Sequence, residues 1–294
     1  MASCRESSWT APSKCTGWRA RTTASRPSSG IWWGDAVGLV EGARKDGVLF
    51  ALTVRYLLST RRGIATAGLA AVPLVVAGAL ALGRVETYDI RLFQTLMVPL
   101  SLQVVLIFVT LVNATALLRE EIEDQTLPYL LMRPITKPTL AVVKYLGYLV
   151  AVLVLLIPPI VLAYVVTQGY EGSSIGADAD VLAAFLTTTV LGSAAYGAFF
   201  GFLSVLVRKP LAVGLLFGFV WESIVGSIPG DVPLLSIIHY LRSILKGMIA
   251  EGPLTEYATD VSAPTAAIVL IALSIGLLIL TAAVFQQMEF RQKA

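Results

Sequence analysis

Charge is what this sequence has least of: Asp, Glu, Lys and Arg make up 14% of its 294 residues, against about a quarter in an ordinary soluble domain. So sparse a complement excludes a chain kept in solution by a solvated surface. Cysteine is nearly absent, and Cys4 and Cys15 are spaced like neither a zinc site nor a redox pair. The single histidine, His239, has no thiols or carboxylates placed around it as a metal site requires, so no metal ligand is assigned. The phosphate loop Gly-x-x-x-x-Gly-Lys-Ser/Thr, His-Glu-x-x-His and Gly-x-Ser-x-Gly are all missing. The chain by itself is therefore not expected to hydrolyse ATP, and no catalytic residue is assigned. Carboxylates and tyrosines can act without a short motif, which leaves one alternative open: a membrane enzyme or sensor with its site in residues 230–263. A basic stripe with interleaved aromatics is also lacking, so no nucleic-acid partner is expected.

Apolar residues fill the space that charge leaves, at 56% of the chain with a mean hydropathy of +0.78. Several runs reach the roughly 20 residues needed to cross a hydrocarbon layer about 30 Å thick. The predicted fold is an all-α polytopic membrane protein with six transmembrane helices and the lipid bilayer as its main solvent. Residues 1–46 differ, being rich in Ser, Arg, Thr and Trp without an apolar run of signal-peptide length, and are expected to be a disordered tail. Residues 47–294 form the six-span domain. It opens with an amphipathic interfacial helix, in which Leu49, Leu52, Leu57 and Leu58 recur at helical spacing and Arg55, Arg61 and Arg62 gather near the end.

The spans are predicted at residues 64–82, 93–118, 138–166, 181–207, 211–228 and 264–285. Pro73 should bend the first, and Pro158-Pro159 should break or kink the outer third of the third. The fourth is rich in Gly, Ala and Ser, which allow close helix contact. The fifth is short and holds Glu222. Between the last two, residues 234–250 read as an amphipathic helix on the outer side, interfacial or re-entrant, with His239, Arg242 and Lys246 on its polar face. Basic residues sort by side: Arg55, Arg61, Arg62, Arg119, Arg133, Lys137, Lys144, Arg208, Lys209, Arg291 and Lys293 fall on one, and Arg84, Arg91, Arg242 and Lys246 on the other. Eleven against four puts both termini in the cytoplasm of a cell (plasma or inner) membrane.

One charged island interrupts the apolar pattern, LLREEIEDQTLPYLLMRPITK at residues 117–137. Arg119, Glu120, Glu121, Glu123 and Asp124 would each cost about 2.5–3.5 kcal/mol at the bilayer centre, so the second span should run on into water. Thr126 can cap a short helix at 127–132, with Pro128 in its first turn, Pro134 after its end, and Leu127, Leu130 and Leu131 forming an apolar face. Thr136 can cap the third span. Such an element suits docking of a soluble partner.

The island and its sequel, LLREEIEDQTLPYLLMRPITKPTLAVVKYLGYL, resemble the segment of ATP-binding-cassette type-2 exporter permeases in which an Arg-Glu-x-Glu-x-Gly-Thr-Leu-x-x-Leu-Leu-x-x-Pro pattern precedes a coupling helix. Arg119, Glu120, Glu121, Glu123, Thr126, Leu127, Leu130, Leu131, Pro134 and Lys144 carry the match, while Gln125 stands where that pattern has Gly. The resemblance implies a cytoplasmic coupling helix between the second and third spans. The residues it assigns to ATPase coupling are Glu120, Glu121, Glu123, Thr126, Leu127, Leu130, Leu131 and Arg133. It further implies separate cytoplasmic ATPase subunits that carry the ATP and Mg, a second permease copy in a homodimer, and room for a periplasmic or extracellular accessory protein. This chain itself needs no cofactor. An alternative within the same architecture is a permease like those of nitrous oxide reductase maturation, serving a periplasmic assembly protein.

Outside the island, Glu222 is the one acid placed inside a span, and its insertion cost makes it a candidate functional carboxylate for a cation, a proton or a dimer contact. The competing expectation is a shorter fifth span that leaves Glu222 hydrated near the outer boundary. Gln103 and Asn113 are expected to form interhelical hydrogen bonds. Lys144 is expected to snorkel to the inner headgroups.

Overall fold

The computed structural model describes residues 47–83, 89–123, 137–172, 176, 178–225, 232–249, 252–256 and 261–287. The expected tail at 1–46 lies outside them. Among the described residues there is no strand, and five helices are long and apolar enough to cross a membrane: Arg61–Leu82, Ile90–Ala116, Thr139–Tyr170, Ala179–Leu206 and Ala263–Val284. Below they are the first to fourth spans and the last span. Gly47–Ser59 and Pro210–Trp221 are shorter apolar helices.

Long runs of Leu, Val, Ile and Ala form these helices, and the polar residues within them are satisfied locally. Thr110, Thr188 and Thr281, for example, donate to the carbonyls of Leu106, Ala184 and Leu277 one turn back, each at 2.7–2.8 Å, so no hydroxyl of these three is stranded in hydrocarbon. The fourth span is the centre of the bundle. Its small residues admit neighbours on several sides: Gly197 lies under the buried Tyr148 ring, and Gly192 lies between Leu106 of the second span and Leu241. Tyr145 and Tyr148 of the third span donate to the carbonyls of Ala194 and Ser193, at 2.8 and 3.2 Å.

The helix expected at 47–63 forms as Gly47–Ser59, and Arg61 and Arg62 open the first span's helix instead of ending this one. Gly47–Ser59 rests on the third span at Gly147, where a Cβ would come within 3.0 Å of the Thr53 side chain. Thr60 then turns the chain in extended conformation into the first span. That span is two helices, Arg61–Ala70 and Val72–Leu82, meeting at Ala71 with Pro73 in the opening turn of the second. Pro73 thus interrupts its span as its chemistry predicts.

Of the break or kink expected at Pro158 and Pro159, the break does not occur: the third span's helix is continuous from Lys137 to Glu171. The prolines cost it the bonds to two carbonyls one turn back, while the rest of a 35-residue ladder continues on either side. Of the fifth span expected at 211–228, residues 226–228 lie outside the described residues. Its helical turns run from Pro210 to Val225, with a π-helical stretch at Phe217–Trp221, or about 24 Å at 1.5 Å per residue. The helix Ile237–Met248 lies farther along the chain. It packs on the fourth and last spans with Ile237, Ile238, Leu241, Ile244 and Leu245 buried, so its apolar face is sunk in the bundle rather than laid on a membrane surface.

The fifth helix is held to the second span by a Gly-x-x-x-Gly pair. A Cβ on Gly214 would collide with Leu111 Cδ1, and one on Gly218 would fall 2.5 Å from Ile107 Cγ2. Close contact through small residues is how apolar helices associate when lipid competes for their surfaces. Ile107 is β-branched and cannot swing aside. Gly218→Ala is therefore expected to cost about 1–3 kcal/mol, measured as a lower thermal midpoint of the detergent-solubilised protein.

Candidate functional site

Glu222 follows the π-helical stretch Phe217–Trp221, whose wider turns rotate the residues after it relative to a regular helix. Its side chain is 3% exposed, which overturns the expectation of a hydrated carboxylate at the outer boundary. It faces the start of the helix Ile237–Met248. Oε1 accepts from the Ile237 backbone N–H at 3.2 Å, Oε2 accepts from that of Ile238 at 3.2 Å, and the buried Ser236 hydroxyl donates to Oε2.

The first N–H groups of a helix have no partner within it, and the N-terminus carries about half a positive charge. Ser236 stands at the N-cap position in extended conformation but makes no cap bond of its own. Glu222, fourteen residues earlier, does the capping instead. Three donors and a helix terminus converge on one carboxylate, which is how a charge is kept in a dry bundle. The fully buried Tyr196 of the fourth span brings its hydroxyl within electrostatic reach of this carboxylate without a hydrogen bond of good geometry, and Arg242 lies within reach of Tyr196. The site thus joins the fifth helix, the fourth span and the capped helix.

Glu222 is twelve residues past Pro210 and Tyr196 ten before Leu206, so both stand about three turns from the common end of their helices. The capped helix ends near the start of the last span, since a Cβ on Gly247 would meet that of Ala263 at 2.5 Å.

Of the residues expected at the charged island, Thr126, Leu127, Leu130, Leu131 and Arg133 lie outside the described residues, as does the short helix at 127–132. For Glu120, Glu121 and Glu123 only the backbone is described. It is helical, because the helix Leu106–Glu123 carries the second span seven residues beyond Ala116, where the apolar crossing ends.

Two of the remaining candidates differ from expectation. Asn113 is buried but donates to Val109 of its own helix, at 2.8 Å, and Gln103 is half-buried with no hydrogen bond to a described residue, so neither ties helices together. Lys144, seven residues into the third span's helix, is 7% exposed and buried against protein. His239 lies half-buried on the capped helix, edge-on to Tyr240. Among the described residues no group of three or more His, Cys, Asp or Glu could hold a metal ion. Sequence reading missed Ser236, Tyr196 and the glycine pair. The Gly214-x-x-x-Gly218 spacing and a serine before Ile237-Ile238 were signals present in the chain.

A family described as ABC-2 family transporter protein matches residues 60–225, more than half of the chain. The chain belongs to the ABC-2 transporter family. It is accordingly a multi-pass membrane protein and a transport component of the permease type, a kind of subunit that is generally not itself enzymatic. Among curated proteins none matches it. The matched stretch contains the charged island and Glu222 and stops at Val225. The capped helix and the last span of this ABC-2 protein follow it.

Proposed function

We propose that this ABC-2 protein is the permease subunit of an ATP-driven exporter. In this reading separate cytoplasmic ATPase subunits hold the ATP and Mg, dock at the charged island, and drive a homodimer of permeases. Both termini are cytoplasmic, and Glu120, Glu121, Glu123, Thr126, Leu127, Leu130, Leu131 and Arg133 form the docking element. The observation that carries the proposal is the unbroken helix that leads the second span out of its apolar crossing to Glu123. A stiff charged extension turns a push on the island into tilt of the span, where a flexible loop would absorb it.

Leu130 and Leu131 would be the apolar anchors of the docking face, and a few such anchors carry most of an interface's affinity. Changing both to aspartate (L130D with L131D) is expected to reduce co-purification of the cognate ATPase by about tenfold or more, equivalent to about 1.4 kcal/mol. Undiminished capture, with the permease still monodisperse, would overturn the docking assignment.

A further inference from the structure

The Glu222 cap joins two parts of the chain that lie on separate helices. On one side, Gly214 and Gly218 seat the fifth helix on Leu111 and Ile107 of the second span, whose helix is the one that continues to Glu123. On the other, the capped helix Ile237–Met248 packs on the fourth and last spans and reaches Ala263. Both sides also pack on the fourth span, where Gly192 lies between Leu106 and Leu241, but the three hydrogen bonds of one buried carboxylate are the polar link between the fifth helix and the capped helix.

An N-cap is ordinarily a local device. The residue at the cap position supplies the acceptor, and Ser, Asp or Asn there suffices. Ser236 occupies that position with the right backbone conformation, yet its hydroxyl is turned into a donor toward Glu222. The helix start is thereby tied to a different helix rather than to itself. A cap drawn from a neighbouring element stabilises the helix no better than a local one would, but it makes the two elements move together.

From this we infer that Glu222 is a positioning residue that transmits displacement of the second and fifth spans to the capped helix, so that the far half of the bundle rearranges when the charged island is driven. The inference rests on the proposed ATPase coupling, since it concerns where that motion goes. The interior of the bundle is close-packed, and packed elements shift between discrete arrangements rather than deform continuously. A short multidentate link to a helix terminus passes such a shift on with little slack.

The test separates a link from a mere cap. In full-length protein with Cys4 and Cys15 replaced by serine, Met248 at the far end of the capped helix is replaced by cysteine. Its labelling by a charged maleimide is followed in the assembled complex with its ATPase, nucleotide-free and vanadate-trapped. The decisive variant is Glu222→Met with Ser236→Asp: methionine keeps the volume without an acceptor, and aspartate restores a local cap. The background protein is expected to change its labelling rate by about fivefold or more between the two states, the lower end of ordinary coupling. The double variant should keep its thermal midpoint, bind the ATPase and hydrolyse ATP, while its two labelling rates converge.

Rates that still differ as in the background protein would overturn the inference and reduce Glu222 to a cap. A background protein that binds and stimulates the ATPase without any change at position 248 would overturn it as well, leaving the coupling proposal intact. Failure of the background protein to bind an ATPase would overturn both. If the double variant does not accumulate, Glu222→Gln takes its place. It keeps one acceptor and loses the charge, and it supports the inference by a diminished nucleotide effect or overturns it by an unchanged one.

Discussion

Glu222→Lys is expected to leave no monodisperse permease after solubilisation, although the chain should still be synthesised and inserted. The carboxylate accepts from the N–H groups of Ile237 and Ile238 and from the Ser236 hydroxyl. Its removal leaves three buried donors facing a group with none to accept them, at about 1–3 kcal/mol each. An ammonium in the same place adds repulsion from the helix N-terminus, worth up to about 2 kcal/mol when partly buried. The sum is comparable to the whole stability of an ordinary domain, about 5–15 kcal/mol. Glu222→Gln keeps the shape and one acceptor, so it should retain a folded peak with a lower thermal midpoint. Size-exclusion profiles of fluorescent fusions, followed by heating, measure both. A folded Glu222→Lys protein with normal thermal behaviour would mean that the carboxylate is not the group that holds the capped helix.

Glu222 also shows where the sequence was legible and where it was not. That an acid at this position needs a reason was evident from its neighbours, Phe217 to Trp221 on one side and Ile224 on the other. The nature of the reason was not, because its partners stand fourteen to sixteen residues farther along the chain, beyond the reach of any local pattern. The same division runs through the fold. Five spans lie close to the predicted boundaries because about 20 apolar residues in a row have few alternatives, and the second span's helix extends into the charged island because its charges have no place in hydrocarbon. The prolines divide by context. Pro73 sits in the opening turn of a helix that begins at a junction, while Pro158 and Pro159 lie inside a 35-residue helix that continues through them. Proline chemistry is identical in the three cases; its place in the helix is not. Asn113 departs from expectation for a different reason, since a polar side chain inside a span can turn back to its own helix as readily as across to another.

Gly63→Ala is expected to be the most damaging of the small substitutions, and its effect should reach the charged island. The chain turns at Thr60 between the interfacial helix and the first span, and Gly63 is buried against the last carbonyls of the helix it has just left. A Cβ there would collide with the Leu57 oxygen and stand 3.0 Å from the Leu58 oxygen. Both are backbone atoms, so no rotamer change relieves the contact and the corner itself must open. Tyr56, Leu57, Thr60 and Arg62 at that corner share a small cleft with Val112, Asn113 and Ala116 of the second span. The charged extension of that span begins immediately beyond. Opening the corner exposes Leu57, which is now 6% exposed, at about 1.5–3 kcal/mol for a fully exposed leucine, and removes the support on one side of the extension. The substitution should therefore lower the thermal midpoint and, as a second and separable effect, weaken capture of the ATPase although no docking residue has changed. Gly68→Ala is the matched control, since Gly68 lies in the same helix with nothing near the new methyl group, and it should stay within about 0.5 kcal/mol of the parent. A Gly63→Ala protein as stable as Gly68→Ala would show that the interfacial helix is not braced at this corner. A destabilised one that still captures the ATPase normally would separate the brace from the docking element.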